Sequence, residues 1–188
     1  MSTVEHPGRY LLKKPVVVAI IPASSENVLE VSAPITLDKL WEVALRESGY
    51  RVVNADAVLT FASASGITLD DLHKAVPGNT ARIGSDLSAD YILCNHITEW
   101  SSEYKIIKSS TKVHCESVLY EASTGAVVWE ENWKQESKSQ FDISPAGTLI
   151  TAAAHSLLST ITEEEARLAG VGIKLSTEES LPRPGFGP

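Results

Sequence analysis

Four residues with donor atoms suited to a metal lie close together in the chain: Cys94, His96, His114 and Cys115. Thiolate and imidazole are the donors zinc favours, and a structural zinc site closes with four of them in a tetrahedron. The residues around them alternate polar and apolar, which places them on two neighbouring strands. If the hairpin between these strands is centred near Tyr104 and Lys105, Cys94 lies opposite Cys115 and His96 opposite His114. Successive side chains leave opposite faces of a strand. His114 and Cys115 therefore cannot both join Cys94 and His96, and at most three donors converge. Three readings stay open: a small-ligand or metal site, a disulfide between Cys94 and Cys115, or buried thiols beside surface histidines.

Other chemistry-bearing groups have simpler explanations. Ser109 to Lys112 reads S-S-T-K, formally the S-x-x-K of serine acyltransferases. That motif needs a helix to bring Lys one turn from Ser, whereas these residues sit between strand-like runs where positions three apart face opposite ways. Asp70 and Asp71 stand where a helix opens and complement its dipole, and Glu163, Glu164 and Glu165 form a solvated helix face. His73 and His155 read as surface helix residues. The chain has no G-x-G-x-x-G, Walker loop, H-E-x-x-H or G-x-S-x-G. The expectation is a protein that is not an enzyme and needs no cofactor.

Aromatic residues supply the remaining candidates. Trp100, Tyr104, Trp129 and Trp133 crowd one region, where a core role is the simplest reading. An interaction face is the alternative, because Trp129 and Trp133 share a strand face with Glu131 and a tail carrying Phe186 is available to dock elsewhere.

These residues must be positioned by a meander of three antiparallel strands between Ala89 and Ser137, with a tight Ser123-Thr124-Gly125 turn before the last. The last strand has mixed faces and reads as an edge or partner-facing strand. Upstream, PVVVAIIP suits a strand buried on both faces. Leu37, Leu40, Trp41, Ala44 and Leu45 recur at helical spacing, with Gly49 as the stop, and Tyr50 to Val53 form a second strand. This β-α-β unit calls for parallel strands. Short helical pieces follow around residues 55–64, 68–75 and 79–87, punctuated by Gly66, Pro77, Gly78 and Gly84. A long final helix begins near Pro145 and repeats Leu149, Ile150, Ala153, Ala154, Leu157, Leu158 and Ile161. The expected architecture is one α/β domain with a mixed sheet over residues 15–170. An extended lead-in (1–14) precedes it and an extended Pro/Gly-rich tail (171–188) follows.

Composition narrows the function classes. The 188 residues carry a formal net charge of -8 without a block of Lys or Arg, which argues against nucleic acid and against a polybasic membrane patch. No apolar run approaches the length of a membrane span. The chain opens MSTVEHPGRYLLKK, without a secretory leader or lipobox cysteine, so a literal reading of Met1 as the start is cytoplasmic.

The order PVVVAIIP, W-x-x-x-L-x-x-x-GYRVVNADAV, GITLDDLHKAVP, ADYILCNHITEWSSEYKIIKSSTKV and LYEASTGAVVWE resembles the bacterial lipoprotein family called domain of unknown function 799. The resemblance spans Pro15 to Ile161. It extends to a wider group that includes the N-terminal domain of TolB and the curli secretion lipoprotein CsgG. It implies a TolB N-terminal-domain-like fold, a periplasmic location with a lipid anchor in the outer membrane, and an accessory role in envelope transport or assembly. The partners it implies are a CsgG-like channel protein, a small tetratricopeptide-like lipoprotein, or a second copy of the chain. It carries no catalytic residues.

Overall fold

The structure, a computed structural model, describes residues 11–12, 16–25, 32–105, 108–140 and 150–184. Its strands are β1 (Leu11–Leu12), β2 (Val17–Ile20), β3 (Ser24–Ser25), β4 (Arg51–Val53), β5 (Tyr91–Lys105), β6 (Lys108–Glu121), β7 (Val127–Gln140) and β8 (Arg183–Pro184). Its helices are α1 (Ala33–Glu47), α2 (Ala55–Ala64), α3 (Leu69–Leu87) and α4 (Ile150–Glu179). Six strands make the main sheet, in the order β4-β2-β5-β6-β7 with β3 alongside β5. β2 runs parallel to both β4 and β5, and β5, β6 and β7 are antiparallel, so the expected mixed sheet and β-α-β unit are both present.

The sheet separates two cores. β2 alternates Val18 and Ile20 into one and Ala19 and Ile21 into the other, which is why its sequence is apolar throughout. On the first face lie α1, through Leu37, Trp41 and Leu45, and α4, through Leu168, Ala169 and Ile173. On the second lie α2, through Val58 and Ala62, and α3, through Leu72, Val76 and Ile83. α1 ends as its glycine predicts: Gly49 has φ 90°, and the Tyr50 N–H donates back to the Leu45 carbonyl at 3.0 Å. α3 is capped by Thr68, whose hydroxyl accepts from the Asp71 N–H at 3.1 Å and donates to the Asp71 carboxylate at 2.6 Å. The two helical pieces expected around Pro77 and Gly78 are joined in α3 across a kink at Asn79 (φ -128°).

The meander forms with a different register from the one expected. Lys105 pairs with Lys108, so the turn falls beyond Tyr104 and Lys105, and a bulge between Ile97 and Glu99 shifts the ladder again. Cys94 consequently faces Val118, and His96 faces Glu116. The Ser123-Thr124-Gly125 turn is as read: Gly125 has φ 74° and its N–H donates to the Glu121 carbonyl at 2.9 Å. A second bulge, near Leu119 and Tyr120, pairs Val127 with Tyr120 and turns it away from the face of Trp129.

The C-terminal helix corrects the reading of the tail. α4 continues through Gly170 and Gly172 to Glu179, nine residues into the stretch expected to be extended. Here glycine permits close approach rather than a stop. A Cβ on Gly172 would lie 2.7 Å from Cζ3 of Trp133, so its absence lets the helix backbone rest on the indole ring. Beyond the helix, β8 pairs in parallel with β1, joining the two flanking segments of the domain.

Candidate functional site

The cysteines and histidines do not converge. Cys94 and His96 share the face toward α3, whereas Cys115 is buried in the opposite core. No Cys94–Cys115 bridge exists, and burial pushes each thiol up to about 12, which leaves it protonated and unreactive at neutral pH. His114 lies against Glu99 of β5 at 3.0 Å and Glu136 of β7 at 3.7 Å. Its ring therefore lies between carboxylates of the two strands that flank β6. His96 Nδ1 sits 2.9 Å from the Ser24 hydroxyl. Among the described residues no three His, Cys, Asp or Glu side chains gather as a metal site would require. The metal-site and disulfide alternatives therefore fail among the described residues, because the register differs and the sheet stands between the two cysteines.

The aromatic face is interior. Trp100, Trp129 and Trp133 are buried beneath α4, and Trp129 meets Trp41 edge to face with centroids 5.9 Å apart. Buried indole N–H groups need acceptors, and two have them on the C-terminal side of the fold. Trp100 donates to Glu165 at 2.9 Å, with Ser102 donating to the same carboxylate at 2.7 Å. Trp129 donates to the Ser180 hydroxyl at 2.9 Å, which donates in turn to Glu131 at 2.7 Å. Glu131, which made this strand face look partner-directed, is thereby engaged by the chain's own C-terminal segment. The tryptophans hold α4 to the sheet and offer no outer surface. The Tyr104 side chain and Phe186 lie outside the described residues.

What the structure adds is a crevice of about 140 Å³ where α1 and α2 begin, at the carboxyl ends of the parallel strands β2 and β4. Ligands of open α/β sheets commonly bind in such a place. Its floor is Asp38, only 8% exposed, with both carboxylate oxygens accepting from the Ala23 N–H at 3.1 Å. Burial pushes this carboxyl up to about 7, the Ala23 N–H opposes that rise, and the charge of nearby Asp56 adds to it. Glu42 lines one wall, bound by Arg46 at 2.6 Å and by the Asn54 amide at 3.4 Å. Asn54 also caps α2, accepting from the Ala57 N–H at 3.0 Å. From the other side, His73 Nε2 donates to the Pro22 carbonyl at 2.6 Å, so the segment under the crevice is held by α1 and α3 together. His73 is therefore half-buried and engaged, unlike the surface residue expected.

Asp38 was not among the residues expected to matter, although the sequence carries a signal for it. It follows Leu37 and precedes Trp41 by three positions, which puts a carboxylate on the buried stripe of an amphipathic helix. The polar groups of the described crevice residues are the Asp38, Glu42 and Asp56 carboxylates, the Asn54 amide and the Lys39 amine, beside apolar surface from Ile35, Leu59 and Leu69.

Residues 8–180 match the model of a protein family described as "Putative lipoprotein GNA1162-like". Among solved structures, the chain is similar to the lipoprotein GNA1162 from Neisseria meningitidis. That likeness has a TM-score of 0.57 at 22% identity, covering 79% of this chain and 99% of the other. It is also similar to a PelC dodecamer from Paraburkholderia phytofirmans, with a TM-score of 0.52 at 17% identity, covering 91% and 94%. At these identities the likeness is one of fold. No curated protein matches the chain.

Proposed function

The chain belongs to the GNA1162-like lipoprotein family, and from that premise we propose that it is a non-enzymatic accessory or scaffold domain of the bacterial envelope. In this reading it faces the periplasm, is held at the outer membrane by a lipid anchor, and assists transport or assembly by docking other envelope proteins or copies of itself. The observation that carries it is β7. This 14-residue strand ends the sheet, and among the described residues no strand pairs with its outer edge. An open strand edge offers a row of backbone donors and acceptors to another chain.

Self-association has a parallel in the PelC protein of similar fold, which is described as a dodecamer. The finer kinship to domain of unknown function 799, TolB and CsgG belongs to the same proposal. It suggests a CsgG-like channel protein and a tetratricopeptide-like lipoprotein as partners. Native mass measurement of the chain alone and mixed with each of these tests the reading. A defined oligomer or a stoichiometric complex is expected. A monomer in every mixture would refute it.

A further inference from the structure

The crevice between α1 and α2 combines an apolar rim with an acidic interior. Ile35, Leu59 and Leu69 stand on the rim, exposed by 55%, 41% and 38%, where the burial of apolar surface would favour leaving them covered. Below them lies Asp38, and Asp56, itself exposed, stands close enough that its charge acts on Asp38. Glu42 is already bound by Arg46, and Lys39, the one cationic residue among the described lining residues, is itself exposed.

Three ligand classes can be weighed against this arrangement. Helix N-termini favour anions, but the α2 terminus is occupied by the Asn54 cap and by Asp56, and an anion would also meet Asp38. A hard cation such as calcium wants six or more oxygens, and with Glu42 bound by Arg46 and the Asn54 oxygen capping α2, the described lining side chains leave only the four of Asp38 and Asp56. An ammonium or guanidinium group on an aliphatic stem satisfies both parts: the stem covers the rim and the head meets the carboxylates. The volume of about 140 Å³ agrees. It holds roughly four to five waters, the scale of one long side chain and well below the roughly 300 Å³ at which sites for larger organic ligands begin.

We propose that the crevice is a docking pocket for a lysine or arginine side chain presented by a protein partner, with Asp38 and Asp56 receiving the charge and Ile35, Leu59 and Leu69 packing on the stem. The partner half of this statement rests on the docking role proposed above, whereas recognition of the cationic side chain rests on the crevice alone.

The test is a titration of the whole 15N-labelled chain with N-acetyl-lysine methylamide at pH 8, followed by amide NMR shifts. N-acetyl-norleucine methylamide serves as the uncharged probe of similar stem. Saturable shifts confined to amides around Ile35, Asp38 and Leu59 are expected with the lysine probe. Affinity should fall at least tenfold for norleucine and for the Asp38→Asn variant, and severalfold for Asp56→Asn, whose exposed position guards against a folding artefact. No saturable shift, equal shifts with norleucine, or shifts centred elsewhere would overturn the pocket. Lysine-probe binding without any partner complex in the native-mass experiment would overturn the docking role and keep the pocket; a complex without lysine-probe binding would do the reverse.

Discussion

Asp38 sets the balance of the α1–α2 corner. Its carboxyl titrates near 7 in the folded chain, chiefly because burial penalises the charge, and near 3.8 when exposed. The folded state therefore keeps a proton that the unfolded chain releases. The resulting cost is absent well below pH 4, grows between pH 4 and 7, and is fully present above 7. At about 1.4 kcal/mol for each pH unit separating the folded and exposed values, it amounts to roughly 4 kcal/mol at most. Asp38→Asn keeps an acceptor for Ala23 and removes the cost. Urea unfolding should show the variant more stable by up to roughly 4 kcal/mol at pH 8, with the gap closing to within about 1 kcal/mol at pH 4. A gap independent of pH would refute this account. The residue was open to inspection in the sequence as the charged member of an apolar stripe, yet helical spacing alone does not say whether such a residue looks inward or flanks the buried face. Cys94, His96, His114 and Cys115 were conspicuous for the opposite reason: they are close in sequence, but their convergence depended on a register that no local signal encodes.

At the scale of elements, the contact of α4 with β7 turns on one glycine. A methyl group on Gly172 would press into the ring of Trp133, which is buried. Overpacking of this kind costs about 1–3 kcal/mol, more than the gain of about 1 kcal/mol that alanine brings to a helix interior. Gly170, two positions away, has Cδ2 of Leu40 as the nearest atom to an added methyl at 4.0 Å, so there the helix gain prevails. Chemical denaturation should show Gly172→Ala destabilised by about 1–2 kcal/mol and Gly170→Ala stabilised by up to about 1 kcal/mol; the reverse order would show that α4 does not lie on Trp133 as described. The strands, the parallel unit, and the start of α3 at Thr68 follow from apolar periodicity and capping residues that read directly from the chain. The extent of α4 does not, because glycine stops a helix in one setting and permits close packing in another, and only the facing tryptophan distinguishes the two. The bulges at Ile97 and Leu119 are hidden for a related reason: an inserted residue changes the pairing without altering the composition of either strand.

Across the whole molecule, one sheet divides two cores and each meets a thiol, the partly buried Cys94 toward α3 and the buried Cys115 toward α1 and α4. Burial pushes both thiols up to about 12, but Cys94 is partly exposed beside a surface pocket, whereas Cys115 is buried and reacts only after its core opens. A disulfide reagent under native conditions should therefore modify Cys115 more slowly than Cys94, read by peptide mass spectrometry. Labelling of Cys115 as fast as that of Cys94 would show that its core opens readily in the folded chain. The α/β class, the mixed sheet and the lipoprotein likeness were all legible before the structure, since they rest on many residues at once. Which surfaces remain open was not, since the choice between a core and an interaction role for the tryptophans turned on α4, whose extent does not read from the chain. A last consequence concerns β1 and β8. Neighbouring strands run about 5 Å apart, so Leu11 and Arg183 bring the entry and exit of the domain to a common point. A force applied to either of these strands is therefore shared by the other, so the pair acts as a clasp that couples the two flanks of the domain.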